Sequence, residues 1–273
     1  MICALLDALI GFLTQSFLIG FEERTPKSHQ TFPGAATLLR FPTLSKPSIS
    51  FVLLAYNEQD SIADAIADCR SFAQAHASDY EILVVNDGST DTTAEVAQSC
   101  STGDVRVLHH ERNLGMGASM RDGYLAARCD YIAHLPGDRQ VRADALTAML
   151  PLRSEDTIVL TAFRNPPSGR RRAIMSVVFR LLTKHVGGLH VDFAGTYLFH
   201  RSWLSRVDLA EASSNSFFFS FQLLELCRRS GASFQVVDIA TYLREQGKSR
   251  VATPSRIAGM FIEIGKSRMK PGG

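Results

Sequence analysis

Apolar positions change their period repeatedly along this chain. Ile49–Ala55 is an apolar run of strand length. Within residues 61–73, Ile62, Ala65, Ile66 and Cys69 recur at i, i+3, i+4 and i+7, one face of a helix. Glu81–Val85 reads as the next strand, and Thr92 and Glu95 have the spacing of a capping box, which predicts a helix start. Val105–His109 reads as a third strand, Gly117–Arg128 as a helix and Tyr131–Leu135 as a fourth strand. Strands alternating with helices predict an α/β fold: a doubly wound, mostly parallel sheet with helices on both faces. Such sheets bind ligands beyond the carboxyl ends of their strands.

The second half is less regular. Thr157–Ala162, Tyr197–His200 and Phe234–Tyr242 read as strands, and Phe217–Arg229 as a helix closed by Gly231. Ala173–Val186 places Ile174, Val177, Val178, Leu181, Leu182 and His185 on one helical face. From Pro254 the tail carries Ile257, Met260, Phe261 and Ile264 at helical spacing among basic residues. Four regions follow: residues 1–21, a linker 22–48, a main domain 49–250, and an amphipathic basic tail 251–273.

Residues 1–21 are almost wholly apolar, broken by Asp7 and Thr14-Gln15-Ser16. Twenty helical residues span about 30 Å, the thickness of a bilayer core. Asp7 would be costly at that depth, and no Lys or Arg precedes the run. A membrane-contacting helix and a helix packed on the protein itself both fit. Residues 22–48 carry Pro26, Pro33, Pro42 and Pro47 and read as a linker. No second apolar run of bilayer length follows, so the body reads as soluble. Composition adds exclusions. The net charge of +2 supplies no global field for nucleic acid. Five scattered cysteines without a CxxC pair argue against a disulfide framework and fit a reducing compartment.

The candidate chemistry sits where strands end. The first strand runs into Ala55-Tyr56-Asn57-Glu58, the second into Asn86-Asp87-Gly88-Ser89-Thr90-Asp91. Two strand ends that each bring a carboxylate to one rim can grip a nucleoside, since carboxylates accept from ring N–H groups and ribose hydroxyls. A plain turn with Asp91 or Thr92 capping a helix is the other reading of the second segment. The stretch Asn113–Gly123 contains Gly115 and Gly117, but Met120 breaks any dinucleotide fingerprint. Its small residues would let a helix N-terminus approach a ligand. Arg121 would face a diphosphate from the inner side of that helix, or lie on its surface.

Together, the YNE segment at 56–58, the DGSTD segment at 87–91 and the Asn113–Gly123 stretch resemble glycosyltransferase family 2, whose members share the GT-A fold. The resemblance runs from about Ile49 to Arg250. It implies a donor site that includes Ala55, Tyr56, Glu58, Asp87, Ser89, Gly117, Arg121 and Asp138, with Glu58 and Asp87 on the base and ribose. The family usually has Asp where Asn86 stands and Pro where Leu54 stands. After the fourth strand it usually has an Asp-x-Asp motif, often followed by Gln, that binds a divalent metal on the donor diphosphate. Here the first Asp is Pro136, while Asp138 and Gln140 remain. The resemblance therefore implies Mg2+ or Mn2+ held by Asp138 and Gln140. Magnesium often uses only one or two protein carboxylates. Asp192 becomes a candidate base or metal-shell residue, and Ser220 and Gln222 stand where relatives often carry acids.

Arg244-Glu245-Gln246-Gly247-Lys248-Ser249-Arg250 fits the RxxGxS(K/R) pattern of polyprenyl-phosphate glycosyltransferases, the dolichyl-phosphate mannose synthase type. Arg244, Ser249 and Arg250 would clamp a phosphate. Arg170 and Arg172 join them at the head of a basic helix face that is either solvated or laid on an anionic membrane. The expected activity is inverting transfer of a sugar from a nucleotide diphosphate to a polyprenyl phosphate, at the cytoplasmic face of a membrane. Two alternatives stand beside it: transfer to a hydroxyl with Asp192 as base, and a nucleotide-sugar-binding protein without turnover.

Overall fold

Strand β1 (Ser48–Ala55) begins one residue ahead of the expected Ile49 and becomes a central strand of the sheet. The computed structural model describes residues 45–163 and 196–239. The expected segment 1–21, the linker 22–48 up to residue 44, the helix Ala173–Val186 and everything beyond residue 239 lie outside them. Helix α1 (Ile62–His76) leads from β1 to β2 (Asp79–Asn86), and α2 (Thr93–Ser99) leads on to β3 (Val105–His109). Helix α3 (Met116–Ala126) precedes β4 (Tyr131–Pro136). The short α4 (Leu146–Met149) precedes β5 (Thr157–Phe163), and β6 (Tyr197–His200) leads to α5 (Trp203–Arg206), α6 (Phe218–Arg229) and β7 (Ser233–Ile239).

The seven strands lie in the order β3-β2-β1-β4-β6-β5-β7. Only β6 runs against its neighbours β4 and β5; the other pairings are parallel. The expectation of a mostly parallel, doubly wound sheet therefore holds. Alternate side chains fill two cores. Phe51, Leu53, Ala133 and Leu135 pack with Ile62, Ile66 and Cys69 of α1 on one face. Val52, Leu83, Val85 and Ile132 pack with Met120 and Tyr124 of α3 and with Phe219 and Leu223 of α6 on the other. Fully burying one such side chain stabilises by about 1.5–3 kcal/mol.

Two details place the strand ends. Strands β2 and β4 flank β1 on opposite sides, so the order reverses there, and Ala55 lies opposite Asn86 while Leu54 lies opposite Pro136. The carboxyl ends are nearly flush at the place where such sheets bind ligands. Pro136 is tolerated in this interior strand for a geometric reason. Successive N–H groups of a strand point alternately to its two neighbours. Gly137 N–H donates to the Leu54 carbonyl of β1 at 2.9 Å. The N–H that Pro136 lacks would have faced β6, where pairing stops at His134–Tyr197.

The capping box expected at Thr92 and Glu95 does not form, and Thr92 makes no side-chain cap. Asp91 takes that role, accepting from Thr93 N–H at 3.0 Å and from the Thr93 hydroxyl. Asp91 wins because its carboxylate is the stronger acceptor and sits one residue earlier in the turn.

His134 is buried against the rings of Tyr124 and Tyr197, with centroids 6.0 and 5.4 Å away. Its Nδ1 has no partner among the described residues. Burial pushes its pKa from 6.5 down to about 3, so the ring is neutral at pH 7. The unfolded chain takes up this proton near pH 6.5 and the folded chain only near 3. The contribution to stability is therefore complete above pH 6.5 and is lost as pH falls toward 3. Its slope is at most about 1.4 kcal/mol per pH unit. His134→Phe should flatten the acid limb of urea midpoint against pH. Parallel limbs in variant and wild type would contradict the assignment.

Candidate active site

The loops after β1 and β2 are sewn together. Asn57 N–H donates to Ser89 Oγ at 3.0 Å, and Thr90 N–H donates back to Asn57 Oδ1 at 2.8 Å. Glu58 N–H donates to Thr93 Oγ1 at 2.8 Å, and Thr92 N–H donates to Gln59 Oε1 at 3.1 Å. Asn57 reaches these partners at φ 56°, a left-handed conformation that Asn tolerates better than most residues. Ser89 thus joins the two loops, and the short side chains of the DGSTD segment serve the backbone of its neighbour.

Asp87 closes the next contact. Its amide extends the sheet by donating to the Ala55 carbonyl at 2.9 Å. Its Oδ1 accepts from Leu114 N–H at 2.8 Å, and its Oδ2 accepts from Gly115 N–H at 3.0 Å. His110 Nδ1 lies 2.8 Å from Oδ1, and His110 Nε2 lies 3.1 Å from Asp122 Oδ2. The carboxylate expected at the donor is thereby tied to the loop that enters α3. Nothing in the spacing pointed to His110.

Glu58 meets the loop after β4 through Ser61, whose hydroxyl lies 3.2 Å from Glu58 Oε2 and 2.9 Å from the Gly137 carbonyl. Asp138 and Gln140 share a tight turn in which Asp138 Oδ1 accepts from Gln140 N–H at 3.1 Å. Glu58 and Asp138 thus stand on neighbouring loops at the reversal of strand order. Among the described residues, no three His, Cys, Asp or Glu side chains gather around a point that could hold a cation. One carboxylate and one amide fit a hard cation that takes its other ligands from water and a diphosphate.

Arg121 and Gly117 are placed differently from expectation. The Arg121 guanidinium donates to the carbonyls of Ala212 and Ser214 at 2.9 and 3.0 Å and lies over the Phe219 ring. It is committed to the loop before α6. Gly117 N–H donates to the Asn215 carbonyl at 2.9 Å. A Cβ on Gly117 would lie 2.5 Å from the carbonyl oxygens of Ser214 and Ser216. The small residues therefore let this loop, rather than a ligand, approach the start of α3. Pattern alone missed the contact because its partner lies almost a hundred residues away. Ser220 is buried with its hydroxyl 3.4 Å from Met120 Sδ, and Gln222 Oε1 accepts from Ser214 N–H at 2.9 Å. Neither serves as an acid at the rim. Arg170, Arg172, Asp192, Arg244, Ser249 and Arg250 lie outside the described residues.

Residues 50–207, more than half of the chain, match the family model for glycosyl transferase family 2. The chain belongs to glycosyltransferase family 2. A dolichyl-phosphate beta-glucosyltransferase of Trichomonas vaginalis is 32% identical over 122 residues, 41% of this chain and 36% of that protein. The chain spans about a third of the length of this and other curated relatives it matches. Mannosyl-3-phosphoglycerate synthase from Rubrobacter xylanophilus superposes with a TM-score of 0.60 at 20% identity, covering 82% of this chain and 74% of that one. Glucosyl-3-phosphoglycerate synthase from Mycobacterium tuberculosis, solved with Mn2+, uridine diphosphate and phosphoglyceric acid, gives 0.57 at 18% identity, covering 82% and 78%. Both likenesses support the GT-A expectation for the fold.

Two substitutions probe this family 2 rim. Asp87→Asn would turn an amide NH2 toward a backbone N–H or the His110 ring. Losing hydrogen bonds to a charged acceptor costs about 1.5–3 kcal/mol, so the melting temperature should drop. An unchanged melt would show that the tie to Leu114 and Gly115 carries no weight. Gly117→Ala forces a methyl group against two carbonyl oxygens, an overpacking worth roughly 1–3 kcal/mol. Chemical denaturation should register that loss, and a neutral result would rule out the close approach.

Proposed function

We propose that this chain is an inverting glycosyltransferase that moves a sugar from a nucleotide diphosphate to a polyprenyl phosphate. The observation that carries the acceptor assignment is the state of α6. Ser220 is buried against Met120, Gln222 is tied to Ser214, and the carboxylate of Glu225 on the same helix is paired with Arg228 and Arg229, so the positions where relatives often carry acids supply none to deprotonate an acceptor. A phosphate acceptor needs none, because it is already an anion at neutral pH. The RxxGxS(K/R) segment at 244–250 and the name of the Trichomonas relative support the same acceptor.

Glu58, with Tyr56 and the Ala55 backbone, would line the nucleoside side of the cleft. Asp87 and Ser89 hold that wall together. Asp138 and Gln140 would carry Mg2+ or Mn2+. Bound there, the cation would stabilise as a Lewis acid the charge that gathers on the departing nucleoside diphosphate. An acceptor phosphate oxygen attacks the anomeric carbon from the face opposite the leaving group, which inverts the configuration. Arg244, Ser249 and Arg250, with Arg170 and Arg172, would fix the acceptor phosphate. Among the described residues, no helix is long and apolar enough to cross a membrane. The domain would work at the cytoplasmic face of a membrane, with segments 1–21 and 251–273 as its contacts there.

The test is a mass-spectrometric screen of UDP-, GDP- and dTDP-sugars against polyprenyl phosphates and soluble acceptors, with Mg2+ or Mn2+. A lipid-linked product is expected, and product only on a soluble hydroxyl overturns the acceptor assignment. Asp138→Asn should lower turnover by about 10²–10³, the usual effect of removing one group that stabilises charge in the transition state. Asp192→Asn should leave turnover near normal. A collapse with donor binding intact would make Asp192 the base of a hydroxyl-directed enzyme.

A further inference from the structure

We propose that Arg139 is a positioning residue for the cation site: its ion pairs to α1 hold the Asp138–Gln140 turn in the shape that presents the cation ligands. This rests on the reading of Asp138 as a cation ligand. Arg139 lies between the two candidate ligands in the sequence, and its side chain reaches across to α1. Its Nε donates to Asp68 Oδ2 at 3.0 Å, its Nη2 to Asp68 Oδ1 at 3.4 Å and its Nη1 to Asp64 Oδ2 at 2.7 Å. Asp64 and Asp68 are one turn apart on α1, so the planar fork spans both.

The backbone supplies a second observation. Arg139 sits at φ 58°, and among the described non-glycine residues only Asn57 shares a positive φ. A left-handed turn is ordinarily given to Gly, Asn or Asp. Arginine there needs its side chain anchored, and this one is 15% exposed between two carboxylates. The turn is fixed at its other end too, by Gly137 N–H on the Leu54 carbonyl and Ser61 Oγ on the Gly137 carbonyl. With Pro136 in place of a first aspartate, the aim of Asp138 rests on these anchors. Partners that orient a metal ligand are worth about 10–100-fold in metal affinity.

Mn2+ binding to the full chain, followed by electron paramagnetic resonance with UDP or GDP present, tests this. Asp138→Asn should abolish binding. Arg139→Gly, which keeps the left-handed turn but loses the anchor, and Asp64→Asn/Asp68→Asn, which leaves the turn sequence intact, should each weaken Mn2+ binding by about 10–100-fold. Arg139→Lys, which keeps a charge but not the fork, should fall in between. If Arg139→Gly melts early, the Asp64→Asn/Asp68→Asn chain carries the test alone. Wild-type affinity in the anchor variants, with binding lost in Asp138→Asn, overturns the proposal and leaves the cation site standing. Absence of Mn2+ binding in the wild type with both nucleotides overturns both.

Discussion

A charged carboxylate at the end of a central strand must be met by donors, because burying it unpaired costs several kcal/mol. Asp87 is that carboxylate, and its donors come from elsewhere in the chain: Leu114, Gly115 and His110. Meeting the demand brings the entry to α3 against the end of β2. His110 then carries the link on to Asp122, about two turns further along α3. The loop before α6 follows, because Gly117 and Arg121 grip it from the same helix. One buried charge thus ties the end of β2 to the entry of α3, and that helix in turn holds the loop before α6.

The strands were largely legible. Val105–His109 and Tyr197–His200 have the bounds their apolar runs predicted, because period and run length are local properties. The rim segments were legible as a family resemblance, and Asp138 lies where a strand end should place it. Individual roles were less so. Arg121 has the charge for a diphosphate and the position of a helix-face residue, and only the fold shows carbonyls waiting across a gap of about ninety residues. Thr92 and Glu95 had the right spacing for a cap, but Gln59 captures Thr92 from another loop. Pairings across long sequence separation leave no periodic trace, and every misplaced role here involves one.

Pro136 removes a carboxylate and a backbone donor together. The loss of the donor is harmless because β6 pairing has already ended beside it. On the proposed reading of the cation site, the loss of the carboxylate would shift weight onto Asp138 and onto the anchors of its turn. The family 2 scaffold is retained, and the change falls at one position where sheet geometry permits it.

The stitching of Asn57–Gln59 to Ser89–Thr93 has a consequence for affinity. Association loses free energy whenever a loop must be ordered, about 0.5–1.5 kcal/mol for each immobilised side chain. Here backbone amides and short side chains already hold one another, so a nucleoside would meet a wall that is assembled before it arrives. Such a wall favours rapid capture over slow moulding, and discrimination between bases would come from a fixed outline. Changing that outline would require altering both loops together, since each is the other's mould.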